Sequence, residues 1–220
     1  VVQLGADIDG EAAYDYSGRS VSLSSDGSTV AIGANGNDGN GSSSGHVRIY
    51  ENVSGTWTQI GADIDGEAAY DYSGRSVSLS SDGSTVAIGA DGNDGNGIDA
   101  GHVRIYENVS GTWTQIGADI DGEDADDFSG QSVSLSSDGS TVAIGANGND
   151  GNGSSSGHVR IYENVSGTWT QLGADIDGEA ASDYSGQSVS LSSDGSTVAI
   201  GADGNDGNGS YSGHVRIYEN

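Results

Sequence analysis

Gln3-Leu4-Gly5-Ala6-Asp7-Ile8-Asp9-Gly10 returns at Gln59, Gln115 and Gln171 with only Leu/Ile exchanges, a period of 56 residues. The residues between the copies recur too, so the chain is one unit written four times. Repetition at such a period decides architecture before composition does, because each unit buries its apolar faces against its neighbours. Four periods need 224 residues and the chain has 220. Val1 and Val2 stand where Trp57 and Thr58 stand in the next copy, and Asn220 where Asn52 does. Only the counterpart of Val53-Ser54-Gly55-Thr56 is absent. A cycle opened inside one turn predicts a ring whose first segment completes its last unit.

Within each unit the apolar pattern has period two. Ser20-Val21-Ser22-Leu23-Ser24 alternates, Asp26-Gly27 predicts a two-residue hairpin turn, and Thr29-Val30-Ala31-Ile32-Gly33 alternates again. A loop of Gly, Asn and Ser from Asn35 to Gly45 leads to a third strand, His46-Val47-Arg48-Ile49-Tyr50. After the turn Val53-Ser54-Gly55, a fourth strand runs from Thr56 to about Asp63, with a bulge expected at Gln59, where the apolar run breaks. No stretch has helical periodicity. Four antiparallel strands per unit at this period predict an all-β fold, a β-propeller of four near-identical four-stranded blades. One domain spans 1–220, with repeats starting near 3, 59, 115 and 171. The pairs Val21/Leu23, Val30/Ile32 and Val47/Ile49 are expected between neighbouring blades. Val1–Asp7 is expected to close the ring as the outer strand of a blade formed by Gln187–Ser192, Thr197–Ala202 and His214–Asn220. The same strand given to another chain would make an eight-bladed dimer or a fibre.

Leu, Ile, Val and Phe make up about 18% of the residues, and the net charge is −27, a combination ordinarily read as disordered. The periodicity overrules it: 39 Gly without Pro points to turns built on positive φ, around a thin core of small residues. No Cys is present, so no disulfide or thiol chemistry arises. Thirty-three acidic residues against six Arg argue against nucleic acid and anionic lipid as partners, and no apolar run is long enough for membrane insertion. The absent initiator Met and a start inside a strand pattern are expected of a portion of a longer product.

Asp15-Tyr16-Ser17-Gly18-Arg19-Ser20-Val21-Ser22-Leu23, then Val30-Ala31-Ile32-Gly33-Ala34, Gly45-His46-Val47-Arg48-Ile49-Tyr50 and Trp57-Thr58-Gln59, resembles the FG-GAP repeat, the blade of integrin-α-like propellers and of many secreted proteins. The resemblance implies that the Ser20–Ser24 strand lies innermost and the Trp57 strand outermost, and it implies an extracellular or cell-surface location. The chain departs from the pattern in carrying Ser17, Ser73, Ser129 and Ser185 for the Phe, and Asn35, Asp91, Asn147 and Asp203 for the Pro. The Asp-rich calcium loop of the family, between the first two strands, is reduced here to Ser25-Asp26-Gly27-Ser28, and the usual seven blades are four.

Calcium is the first candidate ligand, since a hard cation takes several oxygens. The repeated acids are Asp7, Asp63, Asp119 and Asp175; Asp9, Asp65, Asp121 and Asp177; Asp15, Asp71, Asp127 and Asp183; and Asp38, Asp94, Asp150 and Asp206. Asp91 and Asp203 join them in the second and fourth units. The competing reading is that these residues cap their own turns. No cofactor is required by either. Gly41-Ser42-Ser43-Ser44-Gly45 has the spacing of a nucleophile elbow but lies between strands, without the helix that motif needs. His46, His102, His158 and His214, one per unit, are expected to face solvent or pack across strands with Arg48 and Tyr50. Trp57, Trp113 and Trp169 read as packing between blades rather than as sugar platforms. Six sequons, at Asn40, Asn52, Asn108, Asn152, Asn164 and Asn208, offer glycosylation if the protein is secreted.

Three classes of function follow. Near-identical surfaces provide multivalency, which favours a non-catalytic extracellular structural or adhesive module binding protein or glycan at the cell surface, or copies of itself. A calcium-dependent glycan- or protein-binding propeller is the alternative. An enzyme needs an asymmetric constellation, and the copies differ only around residues 12–16, 19, 35 and 42–44.

Overall fold

The computed structural model describes residues 1–219; Asn220, the expected end of the last strand, lies outside the described residues. Each repeat folds into an antiparallel sheet. The first contains β1 (Ser20–Leu23), β2 (Thr29–Ala34), β3 (His46–Val53), β4 (Thr56–Gln59) and a stub, β5 (Ile64–Asp65), that pairs with β3. The second repeats it as β6 (Ser76–Leu79), β7 (Thr85–Ala90), β8 (His102–Val109), β9 (Thr112–Gln115) and β10 (Ile120–Asp121). The third has β11 (Ser129–Leu135), β12 (Thr141–Ala146), β13 (His158–Val165), β14 (Thr168–Gln171) and β15 (Ile176–Asp177). The fourth has three strands among the described residues, β16 (Ser188–Leu191), β17 (Thr197–Ala202) and β18 (His214–Glu219). No helix occurs among the described residues, so none is long and apolar enough to cross a membrane.

Two local expectations are refined. The β1–β2 hairpin closes on Ser24 and Thr29, leaving residues 25–28 as a four-residue loop rather than a two-residue turn. Asp26 causes the difference: its Oδ1 accepts the Ser28 N–H at 2.9 Å and the Ser24 hydroxyl at 2.8 Å, which holds the longer loop rigid. The fourth strand breaks just after Gln59. Gln59 still opposes Tyr50, but Ile64 next opposes Val47, so residues 60–63 stand opposite two residues and bulge outward.

Neighbouring blades meet in two ways. On the inner edge the Leu79 N–H donates to Ser22 Oγ at 2.9 Å, the Ser25 N–H to the Ser81 carbonyl at 2.8 Å, and Ser20 Oγ to the Gly74 carbonyl at 2.8 Å. Further out, Ala31, Val47, Ile49 and Ile64 of the first blade bury against Val77, Leu79, Val86, Ile88 and Tyr106 of the second. At the rim Trp113 packs on this cluster and donates its Nε1–H to the Ile60 carbonyl at 2.9 Å. At the internal junctions the expected placement of the apolar pairs, as Val47/Ile49, Val77/Leu79 and Val86/Ile88, and of Trp113 and Trp169 is observed, whereas Val21/Leu23 and Trp57 of the first blade have no preceding blade to pack on.

The ends differ from the interior. Val77 and Leu79 are 9% and 7% exposed, whereas their counterparts Val21 and Leu23 are 64% and 59% exposed. Val47 and Ile49 are 0% and 1% exposed, whereas Val215 and Ile217 are 66% and 70% exposed. The expected pairing of Val1–Asp7 with the last sheet is not found: β18 pairs only with β17, and residues 1–19 form no strand. Instead the Leu4 carbonyl accepts Trp57 Nε1–H at 2.9 Å and the Asp9 carbonyl accepts Arg48 Nη2–H at 2.7 Å. These bonds repeat those of Ile60 with Trp113 and Asp65 with Arg104, so residues 4–9 cross the first blade as 60–65 cross the second. The physical reason is that these bonds hold residues 4–9 on the first blade, away from β18.

Two contrasts between identical sequence positions test the inner junction. A Cβ on Gly89 would run into the Gly130 carbonyl of the next blade, whereas one on Gly201 meets only its own Ser188 hydroxyl. Gly89→Ala is expected to destabilise the chain by roughly 2–4 kcal/mol and Gly201→Ala by less than about 1 kcal/mol in urea unfolding. Ser78→Ala, which strands the Leu135 N–H, is expected to cost about 1–2 kcal/mol. Ser190→Ala, where no blade follows, should leave the unfolding midpoint of the monomer unchanged, and equal effects at Ser78 and Ser190 would contradict the junction.

Candidate functional site

His46 opens β3 directly after Gly45, which takes a φ of 74° in close backbone contact with Ser73. Along β3 the alternation puts His46, Arg48 and Tyr50 on one face, where the Arg48 guanidinium lies 5.7 Å from the Tyr50 ring centre. The cross-strand packing of this trio is as expected, but solvent exposure is not. The His46 side chain is only 2% exposed because the crossing segment and the bulge at 60–63 fold over it, bringing Glu11 and Asp63.

These side chains converge. His46 Nδ1 lies 3.9 Å from Glu11 Oε2 and 3.9 Å from Asp63 Oδ2. The arrangement recurs as Glu67, His102 and Asp119, with distances of 3.9 and 3.8 Å, and as Glu123, His158 and Asp175, with Glu123 at 3.8 Å. In each set one nitrogen and two carboxylate oxygens lie within 4.8 Å of one another, a group able to hold a metal ion. In the fourth repeat His214 meets Glu179 at 3.6 Å, and no third ligand joins them among the described residues.

Burial, helped by the Arg104 charge, pushes the His102 imidazole down to about 4, and burial likewise lowers His158. Above that range the His102 ring is neutral, so its contacts with Glu67 and Asp119 are not ion pairs. At 3.8–3.9 Å they are also too long for hydrogen bonds. Nε2 of His46, His102, His158 and His214 is buried without a hydrogen-bond partner as well. The third set opens on a cleft of about 490 Å³ lined by Glu123, Asp124, Asp127, Asp150, Asp175 and Asp177, with Asn149.

The other acids expected as calcium ligands are mostly engaged within the fold. Asp15 accepts the Ala12 N–H at 2.9 Å and the buried Asn37 amide at 3.2 Å; Asp71, Asp127 and Asp183 cap the same turn. Asp38, Asp94, Asp150 and Asp206 each accept the backbone N–H five residues on, at Ser43, Asp99, Ser155 and Tyr211. Asp9, Asp65, Asp121 and Asp177 present their backbone carbonyls to Arg48, Arg104, Arg160 and Arg216. Asp7 accepts from Gln3, whereas Asp63, Asp119 and Asp175 join the histidines. Asp203 is exposed. The reduced family loop does not fit calcium: Asp26 is spent on its own turn, whose hydrogen bonds hold its carboxyl down at about 2.

The sequon side chains also work in turns. The Asn40 and Asn152 amides donate to the carbonyls of Gly66 and Gly178 at 2.9 Å, while Asn52, Asn108 and Asn164 accept the Gly N–H three residues on. Asn208 is exposed. Ser43, central in the Gly-x-Ser-x-Gly match, and Ser155, its counterpart two repeats on, sit in turns with φ of 49°.

Sequence reasoning missed two features. The His–Glu–Asp sets have constant spacing, with Glu 35 residues before and Asp 17 after each His. Every residue in a perfect repeat has constant spacing to every other, however, so the signal was not selective. The second is a set of links between the variable positions. Arg75 Nε lies 3.1 Å from Asp91, whose carboxyl burial raises to about 6, and donates to Gln131 of the next blade at 2.7 Å. Asn147 donates to Gln187 at 2.7 Å across the following junction.

The sequence matches the FG-GAP repeat family at residues 7–50, 62–106, 115–162 and 174–218. Comparison with curated proteins finds no match. Among solved structures, the hydrazine synthase of Kuenenia stuttgartiensis is similar at 15% identity and a TM-score of 0.59, covering 97% of this chain and 49% of that one. A candidate 6-phosphogluconolactonase from Bacteroides uniformis is similar at 12% identity and a TM-score of 0.59, covering 91% of this chain and 49% of that one. At these identities the likeness shows the propeller fold alone. This chain spans about half the length of both. With four family matches that together cover most of its length, the chain belongs to the FG-GAP repeat family.

Proposed function

We propose that the chain is a non-catalytic structural or adhesive module, working outside the cell or at its surface, that completes its ring with a second copy of itself. The observation that carries this reading is the pair of end faces. Val21 and Leu23 at one end, and Val215 and Ile217 at the other, are the two halves of the junction that buries Val77, Leu79, Val47 and Ile49 inside the chain. A repeat of the same type fits each face, and a second copy of the chain supplies one. Exposed apolar faces of this kind are association sites. Two four-bladed arcs joined head to tail at both ends make a closed ring of eight. Presentation of the same surface eight times favours multivalent contact with protein or glycan at a cell surface. The repetition of the Glu–His–Asp set in successive blades supports a binding or structural role over catalysis.

A calcium-dependent binding module is the second reading, favoured by the acidic cleft beside His158. It is the weaker one, because Asp127 and Asp150 in that cleft already cap turns.

Sedimentation equilibrium tests the first reading. The chain, of 22.0 kDa, is expected to sediment as a dimer of about 44 kDa. Replacing Val215 and Ile217 by Asp should raise the dimer dissociation constant by roughly 100-fold or more while leaving the blade interior folded. A wild-type chain that stays monomeric at high micromolar concentration would contradict the proposal, as would a doubly substituted chain that still dimerises.

A further inference from the structure

We propose that each complete Glu–His–Asp set is a binding site for a divalent transition ion of the zinc class, held by His Nδ1, Glu Oε2 and Asp Oδ2. The geometry carries this assignment. In the second repeat one oxygen of each acid is already held elsewhere: Glu67 Oε1 lies 3.4 Å from Arg104 Nη1, and Asp119 Oδ1 accepts the Gln115 amide at 2.6 Å. The remaining oxygens, Oε2 and Oδ2, are the ones that face His102 Nδ1. The first repeat repeats this with Arg48 and Gln59, and the third with Arg160 and Gln171. Partners that grip the non-ligating atom of a carboxylate and aim the other are how metal sites are oriented.

A cluster of acids alone would carry little, but the histidine is a second and independent observation. The His102 side chain is 1% exposed, makes no hydrogen bond, and points Nδ1 at two carboxylates. Nδ1 of this buried ring has no hydrogen-bond partner, which needs an explanation, and an ion between Nδ1 and the two oxygens supplies one, while Nε2 stays without a partner. The nitrogen decides the class of ion, since calcium takes oxygen ligands whereas zinc and its neighbours bind imidazole together with carboxylate. Donor atoms in a tetrahedral zinc site stand about 3.3 Å apart, so the 3.8–3.9 Å separations here must shrink by roughly half an ångström. Glu67 can make that move, being 47% exposed. Three protein ligands leave a position open to water or to a partner's side chain. The six carboxyl groups around the third cleft concentrate dications there.

Equilibrium dialysis of the chelator-stripped chain against Zn²⁺ and, separately, Ca²⁺ at equal low-micromolar concentration tests this, with elemental analysis as the readout. About three Zn²⁺ per chain are expected, one per complete set, with no comparable Ca²⁺. Asp119→Asn, at a side chain 30% exposed, should lower the Zn²⁺ count to about two with an unchanged circular dichroism spectrum, and His102→Gln should do the same. Co²⁺ in place of Zn²⁺ should give a visible absorption that Asp119→Asn reduces by about a third. Absence of saturable Zn²⁺ uptake, equal uptake of Ca²⁺, or an Asp119→Asn chain that keeps three Zn²⁺ would overturn the assignment.

Discussion

The Gly74 carbonyl lies against Gly33 of the preceding blade, and the rest of the structure depends on that backbone approach. It recurs where Gly130 meets Gly89 and Gly186 meets Gly145. With no side chain between them, the inner strands come close enough for a serine hydroxyl, Ser22 Oγ, to accept a backbone N–H of the next blade. At the rim the gap is wide enough to take an indole, that of Trp113. Each junction is therefore a wedge, graded from glycine and serine near the axis to tryptophan outside. The grading explains how a chain with so few large aliphatic residues folds: Val and Ile are needed only in the middle of the wedge, where Val47, Ile49, Val86 and Ile88 bury almost completely. It also explains the near-identity of the repeats, since each blade must offer both halves of the same wedge.

Identical sequences then acquire different properties from their neighbours. Tyr106 and Tyr162 are buried between blades, whereas Tyr50 is only half-buried because no blade precedes its own. His46, His102 and His158 are enclosed by acids from two other segments, whereas His214 at the end has one. The acidic sets and the apolar junction also share elements. β3 supplies Val47 and Ile49 to the junction through one face and His46 and Arg48 to the acidic set through the other, and the bulge at residues 60–63 supplies both Ile60 and Asp63. An ion at that set would tie the bulge to β3 and so stiffen the outer half of the wedge.

The four main strands of the first three blades, their order and the faces buried between blades were legible in the sequence, because period-two alternation marks strands and a long fixed repeat of them marks propeller blades. The break after Gln59 was legible for the same reason. Closure was not. Counting residues around a cycle shows that the ends match, but not whether four junctions turn far enough to bring them together. The site was legible only in part. Asp15 and Asp38 read equally as ligands and as caps, and the fold uses them as caps. The packing of His46 beside Arg48 was legible, but its burial was not, because its covering segments, around Glu11 and Asp63, are irregular stretches that no periodicity places. The variation at Arg19, Arg75, Gln131 and Gln187 acquired meaning only once Arg75 was seen against Gln131.

Amide exchange at four equivalent leucines tests the central claim, that the blades form an open arc with one wedge half exposed at each end. The Leu79, Leu135 and Leu191 N–H groups each donate at 2.9 Å to a serine of the preceding blade, whereas Leu23 has no preceding blade. At a dilution where the chain is monomeric, Leu79, Leu135 and Leu191 should exchange slowly and Leu23 at close to the rate of an exposed amide. Equal protection of Leu23 in the monomer would mean that the four blades close on themselves, and would contradict the open arc.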